Sequence, residues 1–175
     1  MKNRRLAIGG TLAAAALLAI ILAPVLSVTV RLARQQMRLV LAERVKTGGE
    51  VRLRYRHSVE KTPVEGRFEV GDGPTLLARE TRTTSVGTGL PNTFPERTHR
   101  EGEWLVVDEQ LQDVGAFPFY LARINRTRLF VNDRELALAI IPMGTVITIG
   151  AEQTSLLRWL LWRVGRWPWA PPETN

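Results

Sequence analysis

The chain has no cysteine. That excludes a disulfide framework and a thiolate metal site, and it fits either side of a membrane. Histidine is scarce too: His57 and His99 are the only two. A metal centre would have to use His57 with Glu60 and Glu65, or His99 carried across by the fold. No G-x-S-x-G, phosphate-loop or H-E-x-x-H motif occurs, so the common hydrolase, nucleotide and zinc-protease signatures are missing. Internal repeats and low-complexity tracts are absent as well. We expect no metal, no cofactor and no enzymatic activity.

What is present suits one domain with appendages. The 175 residues are 45% hydrophobic, enough for a packed core. Net charge is +7, which raises nucleic acid as a partner. The distribution argues against it. Lys2, Arg4, Arg5, Arg31 and Arg34 flank the apolar N-terminus, and Arg158, Arg163 and Arg166 sit among C-terminal tryptophans. They account for the whole excess, so the middle of the chain is near neutral and we expect no nucleic-acid partner.

From Leu6 to Val30 no residue is charged. As one helix this run would reach roughly 37 Å at about 1.5 Å per residue, longer than a hydrocarbon core of about 30 Å. Leu6, Leu18, Leu22 and Val30 would face lipid, and the basic head would stay in the cytoplasm. Residues 1–34 are therefore expected to form a signal-anchor, with a cleaved signal peptide as the rival, since Val25-Leu26-Ser27 offers small residues to a peptidase. Pro24 would interrupt or tilt the helix. Either reading exports the rest, to the periplasmic face of the inner membrane if anchored.

Residues 36–150 read as a run of strands. Met37–Ala42 is the first, and Lys46-Thr47-Gly48-Gly49 a turn. Val51, Leu53, Tyr55 and His57 then share one face, and Arg52, Arg54 and Arg56 the other, as in a half-buried strand with a charged outer face. Val64, Phe68 and Val70 alternate with Glu65, Arg67 and Glu69 in the next strand, so the two can pair as a hairpin. Leu76–Thr84, Trp104–Val107 and Phe117–Leu121 follow, with Pro118 placing the last at an edge or bulge. Thr127–Val131 and Glu135–Ile141 make a hairpin about Asn132-Asp133, and Val146–Ile149 closes the series. The polar segment Asn92–Glu103 reads as a loop. The expected fold is all-β, a sandwich or partly open barrel of about nine short strands. It is preceded by the membrane helix and followed by a short amphipathic helix.

Residues 151–175 form that tail. Leu156, Leu157, Leu160, Leu161 and Val164 keep helical spacing from about Glu152 on. Trp159, Trp162 and Trp167 alternate with arginines, a composition suited to a bilayer headgroup region or a partner. Capping of an open sandwich end is the structural alternative.

The chemistry gathers at His57-Ser58-Val59-Glu60-Lys61-Thr62-Pro63-Val64-Glu65. Neighbours on a strand point to opposite faces, so His57 is badly placed to activate Ser58 unless the chain turns there. Ser58 and Thr62 suit turn chemistry, and an inward His57 suits a satisfied core position. The functional reading is a recognition surface of His57, Ser58, Glu60, Thr62 and Glu65 with Ser85, Gly87 and Gly89. There Gly87-Thr88-Gly89 would let backbone N–H groups approach a partner.

The H-S-V-E-x-T-P-V-E run, followed by Ser85-Val86-Gly87-Thr88-Gly89-Leu90-Pro91, resembles a bacterial family catalogued as domain of unknown function 1850. The resemblance covers about Val51 to Val107 and weakens towards Ile149. The family more often has Ala where this chain has Thr88, and an aromatic near Val86. Its members are small exported proteins, often encoded beside tripartite (TRAP) transporters that use TAXI solute receptors. The resemblance implies a non-enzymatic accessory of a periplasmic solute-uptake system that contacts the permease or its receptor. A small periplasmic enzyme and a free-standing ligand-binding module on the His57–Glu65 surface are the alternatives.

Overall fold

Alternation of apolar and charged residues from Val51 to Arg56 builds a strand that buries one face, and the computed structural model sets that strand inside the larger of two sheets. The structure describes residues 12, 14–85 and 95–164. In chain order the strands are β1 (Pro24–Leu32), β2 (Arg38–Arg44), β3 (Glu50–Arg56), β4 (Pro63–Val70), β5 (Leu76–Thr83), β6 (Thr98–Glu101), β7 (Trp104–Asp113), β8 (Phe117–Leu121), β9 (Arg128–Val131), β10 (Arg134–Leu136) and β11 (Thr145–Ser155). One sheet runs β2-β1-β11-β8 and the other β10-β9-β3-β4-β5-β7-β6. The protein is mostly β, with two helices at its ends.

The two sheets share one core. Val28, Val30 and Leu32 of β1 and Ile147 and Ile149 of β11 meet Val51, Leu53, Val70, Leu76, Leu129 and Val131 of the larger sheet. Aromatic pairs join the same faces: Tyr55 meets Phe119 edge-on at 5.2 Å, and Phe68 stacks on Phe117 at 5.1 Å. Leu129 is fully buried, so truncating it to alanine would cost about 2–5 kcal/mol. Pro118 sits on β8 at the edge of the smaller sheet, where a missing N–H donor is tolerated. In the β2–β3 turn Gly48 has φ 79°, and a Cβ on Gly49 would meet Val45 Cγ2 at 2.2 Å. Both glycines are therefore required by the turn.

The chain falls into two compact units, Leu26–Glu152 and the residues on either side of it. In the flanking unit residues 14–22 are helical and largely exposed, and a second helix covers Leu156–Val164. Leu156 N donates to Ala23 O at 2.8 Å.

The expected helix from Leu6 to Val30 is corrected here. Helical backbone ends at Leu22, and Pro24–Leu32 is strand. Val30 is a fully buried core residue rather than a lipid-facing one. Leu18 and Leu22 are helical and exposed, and Leu6 lies outside the described residues. Among the described residues no helix is long and apolar enough to cross a membrane. The physical reason is Pro24, which stops the helix, and the Val/Thr-rich segment after it, which packs better on a pleated surface.

Smaller differences follow the same logic. Thr98–Glu101, read as loop, is a short edge strand paired with β7. The strand at Trp104 runs on to Asp113, past a bulge where Gln110 and Leu111 take φ of 56° and 55°. Residues 152–155, read as a first helical turn, extend β11 instead. In the helix that follows, Trp159 is buried, while Leu157, Leu160, Leu161 and Val164 are exposed. Arg158 lies over Trp162 at 5.3 Å and Arg163 over Trp159 at 5.1 Å. Trp167 lies outside the described residues.

Candidate functional site

β3 and β4 form a hairpin whose last pair is Arg56 with Pro63. Residues 57–62 connect them. His57 N donates to Thr62 O at 2.8 Å, and Lys61 N donates to His57 O at 3.0 Å. Lys61 closes the turn in the left-handed region at φ 57°. Arg56 Nε donates to Lys61 O at 2.7 Å, and Lys61 Nζ donates to Ser58 O. The turn thus holds itself together largely through backbone carbonyls.

His57 does not continue the inward face of β3. The strand ends at Arg56, and the His57 ring turns to accept the Glu60 N–H on Nδ1 at 3.3 Å. A histidine accepting on Nδ1 carries its neutral-form proton on Nε2. The expectation of a core histidine is corrected to a turn acceptor. Ser58, Glu60 and Lys61 are exposed, and Val59 stands out at 74% exposure. Among the described residues no hydrogen bond joins Ser58 Oγ to His57. Among the described residues the buried Thr62 hydroxyl has no hydrogen-bond partner.

Glu65 is the second correction. It is 2% exposed and belongs to the sheet, not to the turn surface. Arg54 donates to its carboxylate across the hairpin, and Arg67 Nε does so at 2.5 Å from two residues along β4. The pairing continues sideways. Arg67 meets Glu80 at 3.1 Å, Arg82 meets Glu80 at 2.7 Å and Glu101 at 2.6 Å, and His99 meets Glu101 at 3.1 Å. This ladder of alternating charge crosses β3, β4, β5 and β6. Burial pushes the Glu65 carboxyl up, but the hydrogen bonds and charges of Arg67 and Arg54 outweigh it and hold the group below its ordinary range. The Glu101 carboxyl is also held low, by the His99 hydrogen bond and then by the Arg82 charge. Glu65 is consumed by its two arginines and has no free oxygen to serve as a base.

Glu60 of the turn meets Ser85, the first residue of the second motif. Ser85 Oγ donates to Glu60 Oε2 at 3.4 Å across 25 residues of chain. Thr83, fully buried at the end of β5, accepts the Ser85 N–H on Oγ1 at 3.3 Å and so aims Ser85 at the turn. Gly87 and Gly89 lie outside the described residues. Among the described residues there is no cluster of three or more His, Asp or Glu able to hold a metal ion.

A cleft of about 470 Å³ opens beside the hairpin end. Tyr55, Pro63, Val64 and Trp104 give it apolar walls; Arg54, Arg56, Lys61 and Arg126 give it positive charge, and Glu65 is its one carboxylate. Burial raises the Tyr55 phenol pKa, so it stays a neutral group. Trp104, expected only as the start of a strand, and Arg126 were not among the expected site residues. Trp104 is the first residue of β7, and Arg126 ends a 3-10 turn (Arg123–Asn125) in a left-handed conformation usually taken by glycine or asparagine. Neither position carries a local signal that points at the hairpin.

A family model described as a domain of unknown function (DUF1850) matches residues 51–138, half of the chain. The chain belongs to this family. The match takes in every strand of the seven-stranded DUF1850 sheet, with β8 added, whereas β1, β2 and β11 lie outside it. No curated protein and no solved structure matches the chain.

Proposed function

We propose that this DUF1850 protein is a non-enzymatic recognition module of a periplasmic solute-uptake system. It contacts the permease, or the solute receptor, of a TAXI-type TRAP transporter through turn 57–62 together with Ser85. The observation that supports the reading is the Glu60–Ser85 hydrogen bond, which joins the turn to the first residue of the second motif. Val59 at the tip adds an exposed apolar contact of the kind a protein partner buries. The family resemblance supports the partner, and the basic head with the apolar run behind it supports export. We take the Leu26–Glu152 unit as a β-sandwich with this surface at one end.

The test is co-purification of the permease and receptor with the tagged full chain, together with uptake measured after gene deletion. Val59→Asp is expected to release the partner without lowering the melting temperature. Unchanged uptake of all organic-acid and amino-acid solutes, with no transporter subunit recovered, overturns the reading.

A second reading is favoured by the cleft. Its volume falls within the roughly 300–1,000 Å³ of small-molecule sites, so the module also suits direct ligand binding.

A further inference from the structure

The cleft beside the β3–β4 hairpin carries an excess of one charge. Four cations line it, Arg54, Arg56, Lys61 and Arg126, against the single carboxylate of Glu65. That carboxylate is already held by Arg54 and by Arg67 of β4. Arg56 spends Nε on Lys61 O, and among the described residues its terminal N–H groups meet no acceptor. Arg126 makes no ion pair among the described residues. The β3–β9 pairing stops at Arg54 opposite Arg128, and Arg126 lies two residues beyond it in the chain. Arg56 and Arg126, neither with a carboxylate partner among the described residues, thus line one cleft.

The backbone repeats the message. Arg126 is held at φ 46°, ψ 46°, a left-handed conformation that costs a non-glycine residue energy and gathers at functional positions. Like charges brought together this way are relieved by an anion, and guanidinium forks fit a carboxylate with two parallel hydrogen bonds. The other wall is apolar, with Trp104 as its largest side chain. A bare inorganic anion would leave that wall unused.

We propose that the cleft binds a small organic carboxylate, its charged end on Arg56 and Arg126 and its hydrocarbon or aromatic body on Trp104. The proposal rests on reading the cleft as a ligand site and is independent of the partner contact at Val59.

Calorimetric titration of the full chain with benzoate, phenylacetate and hexanoate tests it, with benzamide and inorganic phosphate as controls. At least one acid is expected to bind saturably at one site, more tightly than phosphate, with benzamide at least ten-fold weaker. Arg126→Gly accepts the left-handed backbone without strain, so the melting temperature should hold while acid affinity falls ten-fold or more. If no acid and no benzamide binds, the ligand-site reading itself fails. Should benzamide match the acids, the cleft stands as a ligand site but the carboxylate assignment is wrong. Phosphate binding as tightly as the acids removes the organic body from the proposal, and unchanged acid affinity in Arg126→Gly removes the cleft.

Discussion

Arg31 and Glu152 stand 121 residues apart and meet in a two-pronged ion pair: Arg31 Nε to Oε1 at 2.5 Å and Nη2 to Oε2 at 2.7 Å. The Thr29 hydroxyl donates to the same carboxylate at 2.8 Å, and Arg31 Nη1 donates to Met37 O at 2.8 Å. The hydrogen bond it donates to Glu152 raises the Arg31 pKa against the opposing effect of burial. One carboxylate on β11 thus fastens two residues of β1. Charged hydrogen bonds contribute about 1.5–3 kcal/mol each before solvent screening, and both groups are partly exposed. Arg31→Met and Glu152→Gln should each cost about 1–2 kcal/mol. Urea denaturation of both variants and the double variant should return a coupling near 1 kcal/mol; additive losses would mean the pair contributes nothing.

The place of β1 also constrains where a processed chain can begin. Ser27 pairs with Arg44, Leu26 O accepts from Val45 N at 3.0 Å, and Val25 is 2% exposed. A chain starting at Val28 would lose these contacts and should unfold with about 2–3 kcal/mol less stability than one starting at Ala23. Thermal melts of the two chains decide this. Were the chain processed on export, intact-mass analysis should accordingly find an N-terminus before Pro24.

Glu65 predicts an acid dependence. Its folded pKa is depressed below the ordinary 4.5, so the ionised carboxylate contributes stability that is fully present above that range. The contribution is lost as pH falls through the folded value, where Arg54 and Arg67 lose their partner. Glu65→Gln should cost about 1–3 kcal/mol at neutral pH. The gap between variant and parent should stay constant down to about pH 5 and close below it. Chemical denaturation across pH 2–7 measures this, and a gap that persists at the acid end would show the loss to be steric.

These sites also show which features the sequence exposed. β3 and β4 were legible because one face of each is buried and the other carries charge, so period two survives in the residue types. β1 was not legible, because it is buried on both faces from Ser27 to Val30, and a strand with no polar face cannot be told from an apolar helix by periodicity. The hairpin of β3 and β4 was readable, but the Arg54–Glu65 pair and the burial of Glu65 were not. That burial depends on Arg67 folding back along the same strand and on β5 lying alongside. The cleft needed Trp104 and Arg126, which are brought to the hairpin by tertiary structure alone.

His57 is the residue most open to a catalytic reading. Its structural part is to accept the Glu60 N–H on Nδ1 and so keep Glu60 facing Ser85. Asparagine can place an oxygen near that nitrogen, and alanine cannot. His57→Asn should therefore keep the melting temperature and the parent's exchange rate at the Glu60 amide. His57→Ala should lose about 0.5–1.5 kcal/mol and let that amide exchange freely. Partner recovery should follow the amide, retained in the asparagine variant and weakened in the alanine one. A proton-transfer role makes the opposite forecast, because asparagine cannot titrate and would fail as completely as alanine. Amide exchange and partner recovery measured on the same two variants separate the turn acceptor from the catalyst.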